Sequence, residues 1–447
     1  MIYCKEPELT GRIVLPKDPQ YNIDRRDFNT FFNRFPLVIV YAQKTQDVVN
    51  AIHWARYRDV PLRIRSGGHN YEGLSVVDAG IVIDVSDMNK VVEVDHKRNT
   101  VTVQTGIRNI ALYNALWSEG LVVPSGVCPT PGIGGVTLGG GHSILSRPWG
   151  LTLDNLLELE MVNAEGRVIH ASDDHRSDLF WASRGGGGGN FGVCTSFKFR
   201  THHIDTVGFV EISWDDLQDL GSVLKIWQNY TTPDADERLT PTLLVSSGLQ
   251  PAILMQGVFL GSAKELERLM QPLLHAGSPQ NVTIEEIPWI DAATRIAAAQ
   301  PGTPLPFKSV GPYLYHLLPD KGISTIKRFI NEAPTSPSTV FFHGLGGAVA
   351  KVSSTATAYF QRKALSNMSI FTTWDKPEDA ALGFNWVEDF YRAMIPFTRY
   401  VYVNTQDLSI KNWPDAYYGN NFKRLKRIKA KYDPKNFFKF PQSIPPA

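Results

Sequence analysis

The sequence predicts an α+β protein of two units plus a returning tail, and three changes along the chain predict it. Short β-like runs and amphipathic helices separated by glycine-rich loops fill residues 33–203; alternating strands with few such loops take over after residue 205; the stretch from residue 410 is basic and proline-punctuated. Strands mixed with helices in this order favour an antiparallel β-sheet covered by helices over a parallel one. At 447 residues the chain exceeds the usual single-core size. Boundaries at 1–204, 205–409 and 410–447 follow, with the last segment expected to return to the first unit.

Thr45 to Asp59 reads as a helix capped by its threonine, with Val48, Val49, Ile52 and Ala55 on one face and Pro61 just beyond its end. Strand-like runs follow at LRI (62–64), IVIDVS (81–86), VVEVD (91–95) and TVTVQTG (100–106). A helix from Ile107 to Ser118 leads into PSGVCPTPGIGGVTLGGGHS (124–143), which reads as loop throughout. LLELEMVNAEGRVI (156–169) is a hairpin turned at Ala-Glu-Gly, and DLFWASRGGGGGNFGVCTSFKF (178–199) is a helix, a glycine loop and a strand. Five glycines in a row are ordinarily a linker, but apolar flanks on both sides make these an ordered loop that hugs something. The second unit opens with strands at 207–214, 242–248 and 252–261 and carries helices from Ser262 to Leu274 and from Pro377 to Met394. Pro301 to Pro306 is a loop, and a basic helix spans Asn421 to Lys431.

Composition excludes several function classes. Lys plus Arg number 45 against 44 Asp plus Glu, a net charge of +1 that supplies no field for nucleic acid or an anionic membrane. The three cysteines, Cys4, Cys128 and Cys194, are too few for a disulfide framework and lack zinc-ligand spacing. Cys4 reads as a terminal thiol and Cys194 as a small core hydrophobe. A basic segment followed by an apolar run is absent from the start, and so is a stretch of about twenty apolar residues anywhere. The expectation is a soluble cytoplasmic protein with a small neutral or weakly polar molecular partner.

His69 and Cys128 are the informative pair. Each is a nucleophile in a glycine-lined loop, and both could attach to one electrophilic cofactor. The paired glycines beside His69 let backbone N–H groups approach an anion, and the small residues around Cys128 leave a surface suited to a flat ring. Against this stand a glycine turn with a surface histidine and a buried unpaired cysteine, and on these residues alone the two readings weigh about evenly. A nicotinamide fingerprint needs strand, glycine motif and helix in immediate succession, which Gly132 to Gly135 do not show.

RSGGHNYEG (65–73), GVCPTPGIGG (126–135), DLFWASRGGGGGNFGV (178–193) and the tail YYGNNFKRLKRIKAKYDPKNFFKFPQSIP (417–445) together resemble the berberine-bridge-enzyme-like FAD-linked oxidases of the vanillyl-alcohol-oxidase or PCMH superfamily, in a bacterial form. HGLGGAVAKVSSTATAYFQRKA (343–364) is similar to that family's substrate domain. The resemblance spans nearly the whole chain. It implies a PCMH-type FAD-binding domain of two α+β subdomains and a substrate domain whose antiparallel sheet and helices cover the flavin.

Carried over by motif, His69 would bond the flavin 8α-methyl and Cys128 its 6-carbon. Arg65, Ser66, Gly67, Gly68, Asn70 and Gly73, then Gly132, Ile133, Gly134 and Gly135, then Asn190, Gly192 and Val193 would cradle the cofactor, with Asn421 approaching the ring. The implied reaction is hydride transfer from an alcohol, sugar or secondary-metabolite C–H to flavin, reoxidised by dioxygen to hydrogen peroxide. Three positions depart from the pattern. Thr405 stands where many relatives have the tyrosine of NYxD, Pro131 where oxidases often have valine, and Val136 where GGH has histidine. Tyr402 or Tyr418 would then supply the acid–base group. Two other readings stay open: a flavin dehydrogenase using an acceptor other than oxygen, and a structural protein of a spore or surface layer that keeps the fold with little turnover.

Overall fold

The structure is a computed structural model that describes residues 6–447, so the reading of Cys4 lies outside the described residues. Two small sheets build the first unit. One has the order Arg12–Val14, Val38–Tyr41, Ile81–Asp84, Leu62–Arg65, with the last three strands parallel. Val38–Tyr41 and Ile81–Asp84 are buried at every position, as apolar strands covered on both faces must be. The helix Thr45–Arg58 covers one face through Val48, Ala51, Ile52 and Ala55.

The cap of this helix differs from expectation. Thr45 is the first helical residue and Lys44 the cap. Asp47 accepts from the N–H groups of Gln43 and Lys44, and an ionised carboxylate serves these free donors better than a hydroxyl. Thr45 is thereby freed to donate to Glu160 Oε1 in the second sheet, 2.8 Å away.

The second sheet is antiparallel, in the order Val91–Asp95, Thr100–Gln104, Val193–Arg200, Leu156–Val162, Val168–Ser172. Its last two strands are the expected hairpin. The glycine-rich stretch after Cys128 is not loop throughout, because Ile133–Gly139 is helical. Three glycines in seven residues hide that helix from a propensity reading, and burial of Ile133 and Leu138 in the core supplies what propensity does not.

After residue 205 nine strands form one antiparallel sheet. Alternation of side chains divides its two faces. Val340, Phe342, Met368 and Ile370 enter the core with the helices Leu220–Trp227, Ala263–Leu274, Asp320–Asn331 and Ala380–Met394. Thr339, Phe341, His343, Asn367, Ser369 and Phe371 point the other way, into a cavity facing the first unit. A further helix, Trp289–Ala298, packs on that second face with Phe209 and Ile287.

The C-terminal tail packs against the first unit. The helix Phe422–Tyr432 packs on Ser177–Ser183, and Lys429, wholly buried, donates to the carbonyls of Asn190 and Phe438 and to Asp433. No helix among the described residues is long and apolar enough to cross a membrane.

Candidate functional site

A cavity of about 650 Å³ lies between the small sheets, the tail and the open face of the large sheet. Its floor is made where the two glycine loops meet back to back. A Cβ on Gly67 would stand 2.1 Å from Gly132 N, and one on Gly132 would stand 2.0 Å from Ser66 Oγ. Only glycine permits that approach, and it brings the loops of His69 and Cys128 to one cavity.

Ser66, Gly67, Gly68, His69, Asn70, Cys128, Gly132, Gly134, Gly135, Asn190 and Gly192 all line it, as do Tyr402 and Tyr418. Five other sequence candidates do not. Arg65 is turned inward to a buried ion pair with Asp84. Gly73 serves a left-handed turn packed on Phe32. Ile133 and Val193 are core residues. Asn421 spends its amide on the carbonyls of Ser354, Thr357 and Ala358.

Three features fit a large cofactor with a phosphate-bearing chain. A Cβ on Gly135 would meet nothing within 4 Å, and one on Gly188 would meet only Gly135 Cα, at 3.9 Å. Protein packing therefore gives no reason for glycine at Gly135, whereas a ligand lying across it would. Arg63 lines the cavity as one of its two cations among the described residues, a charge suited to an anion.

The two nucleophiles differ electrostatically. His69 stacks on Phe28 with ring centroids 3.9 Å apart. Burial, then the charge of Arg108, pushes its imidazole down to about 3, so it is neutral and nucleophilic at pH 7. Burial pushes the Cys128 thiol up to about 11, and its Sγ lies 3.7 Å from Gln300 Oε1, to which the S–H donates.

Behind them, the turn after His69 is bolted to the rest of the molecule. Asn70 donates to Gln406, and Lys308 bridges Glu72 and Asp407 at 2.6 and 2.7 Å with all three side chains buried.

The acid–base candidates separate by what their hydroxyls do. Tyr418 donates to Gly186 O at 2.9 Å, holding the glycine loop. Tyr402 Oη accepts from Gly141 N at 2.7 Å and from Asn404 Nδ2 at 2.9 Å, and no acceptor for its own proton occurs among the described residues. Burial outweighs these donors and pushes it up to about 12. Thr405 donates to Tyr402 O.

Sequence reasoning missed Tyr71, His142 and His343, all on the cavity wall. Tyr71 and His142 sit inside the glycine motifs and were overshadowed by their neighbours. His343 needed the strand register, which puts it opposite Asn367 on the cavity face. No carboxylate among the described residues lines the cavity, and its fixed charges are Arg63 and Lys439.

Comparison with known proteins agrees with this geometry. A family described as FAD binding domain matches residues 36–172, and one described as berberine and berberine like matches residues 401–445. The uncharacterized FAD-linked oxidoreductase YvdP of Bacillus subtilis (strain 168) is 43% identical over 98% of this chain and 99% of its own. BBE-like 1 of Physcomitrella patens superposes with a TM-score of 0.91 at 28% identity, covering 97% of this chain and 96% of that one. The grass pollen allergen Phl p 4, with glucose dehydrogenase activity, superposes at 0.88 with 27% identity and 97% of both chains covered. A doubly substituted variant of that allergen is a glucose oxidase.

Proposed function

The chain belongs to the berberine-bridge-enzyme-like FAD-linked oxidoreductases, and from that premise we propose that it oxidises an uncharged alcohol or sugar-like substrate with an FAD held covalently through His69 and Cys128. The observation that carries this reading is the back-to-back contact of Gly67 and Gly132, which sets both nucleophiles on one cavity. Arg63, Gly135 and the Gly187–Asn190 stretch would hold the cofactor. When bound, the flavin accepts a hydride from a substrate C–H.

The chain's own part is binding, orientation and exclusion of water. Phe307, Phe341 and Phe371 offer apolar faces, with Thr339 and Ser369 as polar points between them. The absence of any lining carboxylate among the described residues disfavours cationic substrates. Of the two tyrosines, Tyr402 stands beside the substrate oxygen in this reading, donating its free O–H to it, while Tyr418 secures the loop. Tyr402→Phe is expected to slow flavin reduction by about 10²-fold, the usual consequence of removing one preorganised donor, without loss of bound flavin. Rapid-mixing absorbance measures both.

Dioxygen is the proposed final acceptor, giving hydrogen peroxide. Transfer to a quinone-like acceptor is the second reading, favoured by Pro131 on the cavity wall and by the likeness to a glucose dehydrogenase. The test is anaerobic mixing of the purified holoenzyme with a panel of uncharged alcohols and sugars, followed by air or an artificial dye. Bleaching of the oxidised-flavin band by a panel member is the expected result, and recovery in air or only with dye separates the two acceptors. A flavin that no member of the panel reduces would overturn the reading.

A further inference from the structure

Oxidation of an alcohol needs an acceptor for the hydroxyl proton, and the usual phenol position is Thr405 here. Its hydroxyl is spent on Tyr402 O. Tyr402 Oη is filled by two N–H donors and stays protonated to about pH 12, and Tyr418 is committed to Gly186. None of the three can take a proton readily at neutral pH.

His142 can. Its ring lies flat against Tyr402, with centroids 4.1 Å apart and 17° between planes, on the cavity wall. Nε2 is 3.2 Å from Tyr359 Oη and 3.3 Å from Tyr313 Oη, and those two hydroxyls are 2.9 Å apart. Nδ1 makes no hydrogen bond among the described residues, and unlike Nδ1 of His343 it is not sealed from the cavity. With Nε2–H donating into the tyrosine pair, Nδ1 is a bare lone pair facing the site.

We propose that His142 is the catalytic base of this chain, its Nδ1 accepting the substrate hydroxyl proton. The inference rests on the oxidoreductase reading above. The C–H bond breaks with its electron pair going to the flavin as hydride, the O–H bond breaks with its proton going to Nδ1, and a C=O bond forms. That proton and the hydride equivalent leave together when the final acceptor is reduced, which restores the neutral ring.

The surroundings suit the role. The face of Tyr402 and the Tyr313–Tyr359 oxygens can support the transient imidazolium. Burial, then His343 stacked 5.4 Å away, holds the ring well below the ordinary histidine range, so it is neutral at pH 7 and holds the proton only while the hydride leaves. The groups facing it are His343, Tyr402, Tyr313 and Tyr359; the cations behind them, Arg147 and Arg362, are turned to Leu345 O and to Asp154, and no carboxylate among the described residues hydrogen-bonds to the ring.

Two measurements test this. In holoenzyme labelled with ¹⁵N-histidine, with His142→Gln or His142→Asn used for assignment, the ring shifts at pH 7 should show Nε2 protonated and Nδ1 bare. The opposite tautomer would overturn the proposal, and this arm needs no substrate. In anaerobic reduction by a panel alcohol or sugar, His142→Gln should keep its flavin and lose about 10²-fold or more in rate at pH 7, recovering as pH rises and hydroxide replaces the base. Reduction at the wild-type rate, with no gain in pH dependence, would overturn it. Failure of the wild type to react with any panel member counts against the oxidoreductase reading instead and leaves the tautomer to decide on His142.

Discussion

Asp27 shows what a single buried group contributes below the site. It lies under the His69 turn, 4% exposed, and neither carboxylate oxygen has a partner among the described residues. Burial pushes its carboxyl up to about 7, with Arg65 pulling the other way. In the unfolded chain the group ionises near pH 4, so between about pH 4 and 7 the unfolded state has released a proton that the folded state keeps. Stability therefore falls as pH rises through that window, by on the order of 4 kcal/mol in all. Asp27→Asn should remove this slope and raise the urea midpoint at pH 8 above the parent's while leaving it nearly unchanged at pH 4. At this scale His69 and Cys128 were legible because glycines advertise a loop that must approach something. Arg65, Ile133 and Asn421 stood in the same motifs but face inward, and a motif carries no information on which way a side chain turns. Asp27 gave no signal, and His142 none beyond its place in a glycine motif, since burial and unsatisfied atoms exist only in the folded chain.

Among elements, the tail helix Phe422–Tyr432 clasps the five-glycine loop. Lys429 is the clasp, holding Asn190 O, Phe438 O and Asp433 from a fully buried position, while Asn190 Oδ1 accepts from Ile444 N. Removing one member of such a pair leaves an uncompensated buried charge and costs about 3–5 kcal/mol. Lys429→Met is expected to lose that much in a denaturant titration. The hairpin, the five-glycine loop and the strands after residue 205 were readable from alternation and turn residues. Ile81–Asp84 was readable as a strand, whereas Val38–Tyr41 beside it, buried at every position, lacks the alternation that marks a half-buried strand. The short helix Ile133–Gly139 was hidden by its own glycines.

For the whole molecule, the site exists only where three parts of the chain meet. The small sheets supply both nucleophiles, the large sheet supplies a wall of alternate residues from Thr339 to Phe371, and the tail closes the glycine loop. The buried Lys308, Glu72 and Asp407 join the first two of these parts directly behind the His69 turn. The α+β architecture and its antiparallel sheet followed from the order of elements and from the resemblance. The cavity wall did not, because it depends on which face of each strand the helices cover.

The central claim is the double tether, and the absorption spectrum and intact mass of the denatured protein test it most directly. The flavin should stay with the protein after acid precipitation, adding the mass of one FAD, and His69→Ala and Cys128→Ala should each keep it through the remaining bond with an altered spectrum. A wild-type protein that precipitates colourless, at the mass of the bare chain, would contradict the account.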